Sequence, residues 1–465
     1  MIKKIALGLL VPVTAIAQNN PNNSSGPRTP TAKPSVKPNV LFVVFDDIGW
    51  GDMGYNGSKL VPTPNFDRLA AMGVSFTDGY VTAPISSPSR NGMVSGMYQQ
   101  RFGVQVNADY RNSQIPDTQS TLPETMRSAG YATALVGKWH VCRAPEKVFD
   151  EIYEPIVISS NYFPDEQGGY DGPRLPILSM KPVSGDDIYM TDRLTNHAIG
   201  FMEKQKDKPF FLYLGYNACH NPWQATQRYY DKLSNIKEEY LRVYAAILAS
   251  ADDNLGRLLD CLVRNNMTDN TIIIMVSDNG PAKGGPELKT WNGYDPSREY
   301  IFGQTGGLRG HKVTLYEGGI RVPMNIVYTP LLRKGKVFID MVSTLDLYPT
   351  VCELADIAVP KKGTQLDGVS LVKYLREEVK QAPHNFLFWK RAQNGAMRMG
   401  AWKLVMDSNN AELFSLRDDR GETTDLSAQY PHIKERMLDE WNKWLDTLPD
   451  RGRRVAAEDN AGQGE

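Results

Sequence analysis

Residues 39–47 read NVLFVVFDD: six apolar residues in seven, with no polar alternation, ending in two aspartates. A continuous apolar run of this kind is the pattern of a strand buried on both faces, as in parallel sheets. Residues 63–73, TPNFDRLAAMG, then predict a helix with Thr63 as N-cap, Pro64 at the first helical position and Gly73 as terminator. Four more apolar runs, YATALVGKW (131–139), FFLYLGYNA (210–218), TIIIMVSDNG (271–280) and VPMNIVYTP (322–330), are separated by helical patterns. The longest helical pattern extends from about Ile236 to Asn265. Alternating strands and helices predict an α/β domain over 38–375, built on a large, mostly parallel sheet sandwiched by helices. Beyond residue 375 the texture changes to short strands, NFLFWKR, AMRMGAWKLVMD and AELFSLRDD, and then an amphipathic helix near 433–448. That pattern predicts a small antiparallel C-terminal subdomain over 376–450, with no internal repeat in the chain and a disordered tail over 451–465.

The chain of 465 residues has 41 % hydrophobic and 23 % charged residues, enough to bury a sizeable core. With 52 Lys and Arg against 53 Asp and Glu, the net charge is −1, which argues against nucleic-acid or membrane-surface binding. The start, MIKKIALGLLVPVTAIAQNN, has the layout of a secretory signal over 1–17: basic Lys3 and Lys4, a short apolar stretch, and Ala15-Ile16-Ala17 before Gln18. Its apolar stretch is short for a transmembrane anchor, and 18–37 reads as a Pro-rich, disordered lead-in. An exported protein, periplasmic or secreted, is therefore expected. The four cysteines are widely spaced and match no zinc pattern.

Two acidic pairs fall at the carboxyl ends of apolar strands: Asp46 and Asp47, and Asp278 and Asn279. Open α/β sheets place ligands along that edge. Three carboxylates and an amide oxygen suit a hard cation such as calcium or magnesium, although each pair alone also fits a turn cap. Three further strand-end segments bring cations: GKWH with Lys138 and His140, NACHNP with His220, and GLRGHKVTLYEGGIRVP with Lys312. Cations against a metal-filled carboxylate edge describe a pocket for a tetrahedral oxyanion.

SSPSR at 86–90 and the following NGMVSG resemble the signature of the formylglycine-dependent sulfatases, of the alkaline phosphatase superfamily. FDDIGWGD, GKWH, HNP, SDNG and KVTLYEGGIRVP are similar to that family's other blocks, in the same order, as are DLYPTVCELADI, WKLV and ELFSL. The resemblance implies an alkaline-phosphatase-like fold and an enzyme that hydrolyses sulfate esters. It implies that Ser86 is oxidised to formylglycine, whose hydrate accepts the sulfuryl group on one hydroxyl and expels sulfate through the other. It further implies that Asp46, Asp47, Asp278, Asn279 and residue 86 hold one Ca2+. Arg90 would support the ionised residue 86, Lys138 and Lys312 would bind sulfate oxygens, His140 would assist the step that expels sulfate, and His220 would protonate the departing sugar oxygen.

The signature opens on serine rather than the commoner cysteine, which implies a radical, anaerobic-type maturase as partner. His311 stands where the family usually has glycine, and is a candidate for substrate contact. Trp223, Gln224, Trp291 and Asn292 are further candidates for lining a sugar subsite, the last two in the loop from about Gly280 to Thr305. The implied substrate is a sulfated sugar or oligosaccharide: glycosaminoglycan, mucin glycan or algal polysaccharide. Two rival readings remain at this point: a phosphodiesterase or phosphonate hydrolase of the same superfamily, and an unmodified, inactive sulfated-glycan-binding protein.

Overall fold

Alternate residues of the run 39–45 reach two different cores, as a doubly covered strand requires. Leu41, Val43 and Phe45 pack with the long helix Glu239–Arg264, whereas Val40, Phe42 and Val44 pack with Met93 and Val94 of the helix Ser86–Ser95. Every residue of this strand is buried. The computed structural model describes residues 36–172, 176–183, 188–360 and 364–450. The expected signal segment, most of the lead-in and the tail lie outside these residues.

The main sheet has eight strands: β1 (Asn39–Phe45), β2 (Val74–Phe76), β3 (Ala132–Lys138), β4 (Glu151–Ile156), β5 (Phe210–Gly215), β6 (Thr271–Ser277), β7 (Met324–Val327) and β8 (Lys336–Phe338). Their order is β8-β2-β7-β6-β1-β5-β3-β4. From β6 to β4 all neighbours are parallel, and β7 runs antiparallel to both β6 and β2. The sheet is thus mixed, with its parallel part centred on β1. Strands β2, β4 and β8 carry no long apolar run and escape the sequence pattern. The predicted helix at 63–73 spans Pro64–Met72, and the long helix spans Glu239–Arg264.

The C-terminal strands Phe386–Arg391, Asn394–Met399, Trp402–Met406 and Ala411–Ser415 form one antiparallel sheet in sequence order. The stretch expected as one short strand at 396–407 is split by a turn at Gly400, whose φ is +58°. Met397, Leu404 and Leu413 of this sheet pack on Met437, Trp441 and Trp444 of the helix Pro431–Asp446. The four cysteines are free thiols. Among the described residues, no helix is long and apolar enough to cross a membrane.

Candidate active site

The parallel strands end together, and their carboxyl ends carry the chemistry. β1 ends at Asp46 and Asp47, β6 at Asp278 and Asn279, β3 at Lys138, and β5 leads into the turn holding His220. Facing them is Ser86, the first residue of the helix Ser86–Ser95, where unpaired amides and the helix dipole favour an anion. The Ser87 amide donates to Asn107 Oδ1 at 3.1 Å, fixing that first turn. The side chains of Asp46, Asp47, Ser86, Lys138, His220, Asp278 and Asn279 are all buried.

Ser86 Oγ lies 3.2 Å from Asp46 Oδ1 and 3.4 Å from Asn279 Oδ1, and accepts from Lys138 Nζ at 3.4 Å. Asn279 Nδ2 donates to Asp47 Oδ1 at 2.6 Å, and Asp47 N donates to Asp278 Oδ1 at 3.3 Å. Lys138 Nζ meets Asp46 Oδ2 at 2.5 Å and Lys312 Nζ meets Asp47 at 2.9 Å. Oxygen atoms of Asp46, Asp47, Asn279 and Ser86 come together, with Asp278 joined through the Asp47 amide, a donor set suited to a hard divalent cation. His220 Nε2 also stands 3.9 Å from Asp47 Oδ2, so Asp46, Asp47 and His220 offer ligand atoms within 4.8 Å of one another. The sequence reading left histidine out of the acidic edge, because neither acidic pair contains one.

Arg90 supports Ser86 indirectly rather than by contact. Its Nε donates to Asp278 Oδ2 at 2.8 Å, one Nη donates to Lys138 O at 3.1 Å, and the guanidinium lies 4.0 Å from Asp46. Burial would favour its neutral form, but Asp278, Tyr213 and Asp46 together outweigh that and hold the guanidinium charged. Burial likewise raises Asp278, with Asp46 adding to the effect and Arg90 opposing it. Burial lowers Lys138 despite the pull of Asp46, whereas at Lys312 the burial effect is overcome by Asp47 and Asp46.

Three carboxylates (Asp46, Asp47, Asp278) thus face three cations (Arg90, Lys138, Lys312), a formal balance of zero. A divalent cation would leave the pocket positive and ready for an anionic ester.

Both ring nitrogens of buried His140, one Nη of Arg90 and the Asn217 amide have no hydrogen-bond partner among the described residues. Buried polar groups are normally satisfied, so this cluster marks a place built for a polar ligand. The His140 ring is met edge-on by Tyr110 at 4.9 Å. Burial, then Lys138 and Arg90, push its pKa well below the ordinary value. His220 is depressed in the same way by burial and then by Lys312 and Lys138, and its Nδ1 donates to Asn221 O at 2.7 Å, leaving Nε2 toward Asp47. Asp47, His140 and Val313 hold left-handed φ values of 61°, 50° and 81°, strain of the kind that collects at functional sites.

The Tyr162 hydroxyl lies 2.9 Å from Asn217 O and 3.0 Å from His220 O and braces the His220 turn. Nothing in the sequence signals this role, since 55 residues separate it from Asn217.

Two of the expected sugar contacts are corrected. Trp223 is fully buried and stacks flat on Phe302, with 5° between the rings. Gln224 spends its amide inside the fold, accepting from Tyr162 N at 3.0 Å and donating to Asn161 and Pro176. Both follow His220 into the buried strand Trp223–Thr226, which denies them a surface. Trp291 folds back onto the long helix, donating to Glu239 at 3.0 Å, while Asn292 is exposed. His311 lines an open cavity directly beside Lys312.

A family model described as Sulfatase matches residues 38–357, and one described as N-sulphoglucosamine sulphohydrolase, C-terminal, matches residues 310–445. The uncharacterized sulfatase YdeN of Escherichia coli K12 is 31 % identical over 76 % of this chain and 68 % of its own. The N-acetylgalactosamine-6-O-sulfatase of Bacteroides thetaiotaomicron is 27 % identical over 86 % of this chain and 91 % of its own. Among solved structures, Ps i-CgsB in complex with k-i-k-neocarrahexaose superposes with a TM-score of 0.75 at 31 % identity, covering 92 % of this chain and 96 % of the other.

Proposed function

Because the chain belongs to the sulfatase family and is a sulfuric ester hydrolase, we propose that its substrate is a sulfate ester carried on an exported protein's natural target, a carbohydrate. The observation that carries this reading is the convergence of Ser86, Lys138, His140 and Lys312 on one buried, cation-rich pocket at the helix N-terminus. Relatives named for sugar sulfates, and one solved with a bound oligosaccharide, support the substrate class.

In this reading Ser86 is oxidised to formylglycine, which supplies a nucleophile that can release sulfate without a second attack by water. Asp46, Asp47, Asp278, Asn279 and residue 86 hold one Ca2+, which supplies positive charge at the sulfate oxygens. The chain's own groups do the rest. Lys138, Lys312 and the neutral ring of His140 bind and orient the sulfate, and the helix N-terminus adds its amides. Arg90 keeps Asp278 and Asp46 in place from behind. His220, braced by Tyr162 through the backbone, protonates the ester oxygen as the sugar departs; because its Nδ1–H is spent on Asn221 O, Nε2 carries that proton only in the imidazolium form, which the incoming ester anion favours. His311, the neighbour of Lys312, contacts the saccharide.

Turnover of an aryl sulfate well above the matching aryl phosphate is the expected result; the reverse would convert the protein to a phosphate or phosphonate hydrolase. Among the described residues only His220 joins the acidic edge as a histidine. In protein from the native host, the peptide containing residue 86 should be lighter by two hydrogens, and the mature chain should begin at Gln18. An unmodified Ser86 there would support the inactive glycan-binding reading instead.

A further inference from the structure

Beside the anion pocket lies an open cavity of about 510 Å3, lined by Glu299, Gln304, Arg309, His311 and Tyr316 and by the glycine-rich backbone between them. Its volume falls within the ~300–1,000 Å3 of ordinary ligand pockets. Both ends are fastened to the anion site. Gln304 N donates to Asp52 Oδ1 at 2.9 Å and Gln304 O accepts from Gly51 N at 2.9 Å, in the loop that follows Asp46 and Asp47. At the other end His311 is the covalent neighbour of Lys312, whose ammonium reaches Asp47.

The polar groups on the wall are held in place. His311 Nδ1 donates to Lys312 O at 2.8 Å, which fixes the tautomer and leaves Nε2 as a hydrogen-bond acceptor. Arg309 lies 3.8 Å over the Tyr316 ring, donates to Glu422 O at 3.0 Å and pairs with Glu412 at 3.5 Å, yet its side chain remains 40 % exposed. Glu299 is paired with Lys283 at 2.5 Å. Each charge on the wall already has a countercharge, so the cavity asks for hydroxyl groups rather than a second anion. At Gly307 an added Cβ would meet nothing within 4 Å, and the bare peptides there are open to a ligand.

We propose that this cavity is the subsite for an uncharged sugar unit joined to the sulfated one, so that the preferred substrate is at least a disaccharide. His311 Nε2 accepts from a hydroxyl of that unit, and Arg309 and Gln304 donate to its oxygens. The proposal rests on the carbohydrate sulfate reading above.

The test compares sulfated monosaccharides with the disaccharides that contain them, prepared from keratan and carrageenan, whose backbone units carry no carboxylate, alongside an aryl sulfate. For the pair that is turned over, kcat/KM should be at least about tenfold higher for the disaccharide. Gln304→Ala and Arg309→Lys should each cut that ratio about fivefold or more. Gln304→Ala leaves the Glu422 link of Arg309 intact, so it reads the subsite even if Arg309→Lys folds poorly. A ratio near one, or a ratio that neither variant changes, overturns the subsite. Turnover of the aryl sulfate with none of the saccharides defeats the carbohydrate reading itself, a different failure.

Discussion

At the scale of single residues, the distinction between a proton donor and a structural histidine is testable. A sugar hydroxyl leaves poorly as an alkoxide, whereas an activated phenol needs little help, so His220 should matter in proportion to the leaving group. His220→Gln should lower kcat on a sulfated saccharide by about 10²–10⁴-fold and on a nitrophenyl sulfate far less. Equal losses on both substrates would mean that His220 holds the acidic edge rather than moving a proton. Arg90 makes a different demand. It is fully buried, and its guanidinium donates to Asp278 and the Lys138 carbonyl and lies 4.0 Å from Asp46. Arg90→Leu strands Asp278 without its paired cation, an error that costs about 3–5 kcal/mol when one partner of a buried pair is removed. Urea unfolding should show that loss; an unchanged midpoint would refute the bracing role.

At the scale of elements, the helix that carries Ser86 is set by its ends. It stops at Gly96, whose φ is +67° and whose N–H returns to Gly92 O at 2.9 Å. The segment packed on that end, whose Asp367 N donates to Gly96 O at 2.9 Å, is held by His384, whose Nε2 lies 2.8 Å from Asp346 Oδ2, the carboxylate that also accepts from Ser343 N and Val369 N. Burial alone would lower the pKa of His384, but the Asp346 charge and hydrogen bond more than offset it, so the net shift is upward. A raised folded-state pKa means that folding takes up protons. The stabilisation is fully present below the unfolded value of about 6.5 and fades as pH rises through the higher folded value. The Tm gap between the wild type and His384→Gln should therefore be widest near pH 5.5–6 and close at alkaline pH; a gap that widens with pH would reverse the assignment.

At the scale of the molecule, the sequence exposed what repeats a local pattern and hid what depends on distant packing. The central strands and the acids that end them were legible because a doubly buried strand has a distinctive composition and its carboxyl end a predictable place. The antiparallel β7 and the burial of Trp223 were not, since direction and depth are fixed by neighbours far along the chain. Also hidden was the way the C-terminal sheet grips the catalytic domain. Lys403 Nζ is fully buried between Glu317 Oε1 at 2.9 Å and Glu422 Oε1 at 2.7 Å. Glu422 Oε2 in turn accepts from Glu317 N at 2.7 Å. Glu317 opens the short turn of helix just after Lys312, and its other oxygen receives Tyr80 Oη and Arg321. Burial pushes Glu422 up to about 7 against the pull of Lys403, with Glu317 adding to the rise, while burial at Glu317 is overcome by Arg321 and Lys403, which hold it low. Lys403→Met leaves two buried carboxylates facing each other and should cost about 3–5 kcal/mol. Adding Glu422→Gln removes one of those charges and should recover a large part of the loss. If the double variant is no more stable than the single one in urea unfolding, the ion cluster is not what joins the two parts. Because the cluster also seats the segment behind Lys312, the single variant should raise KM for an aryl sulfate more than the double variant does.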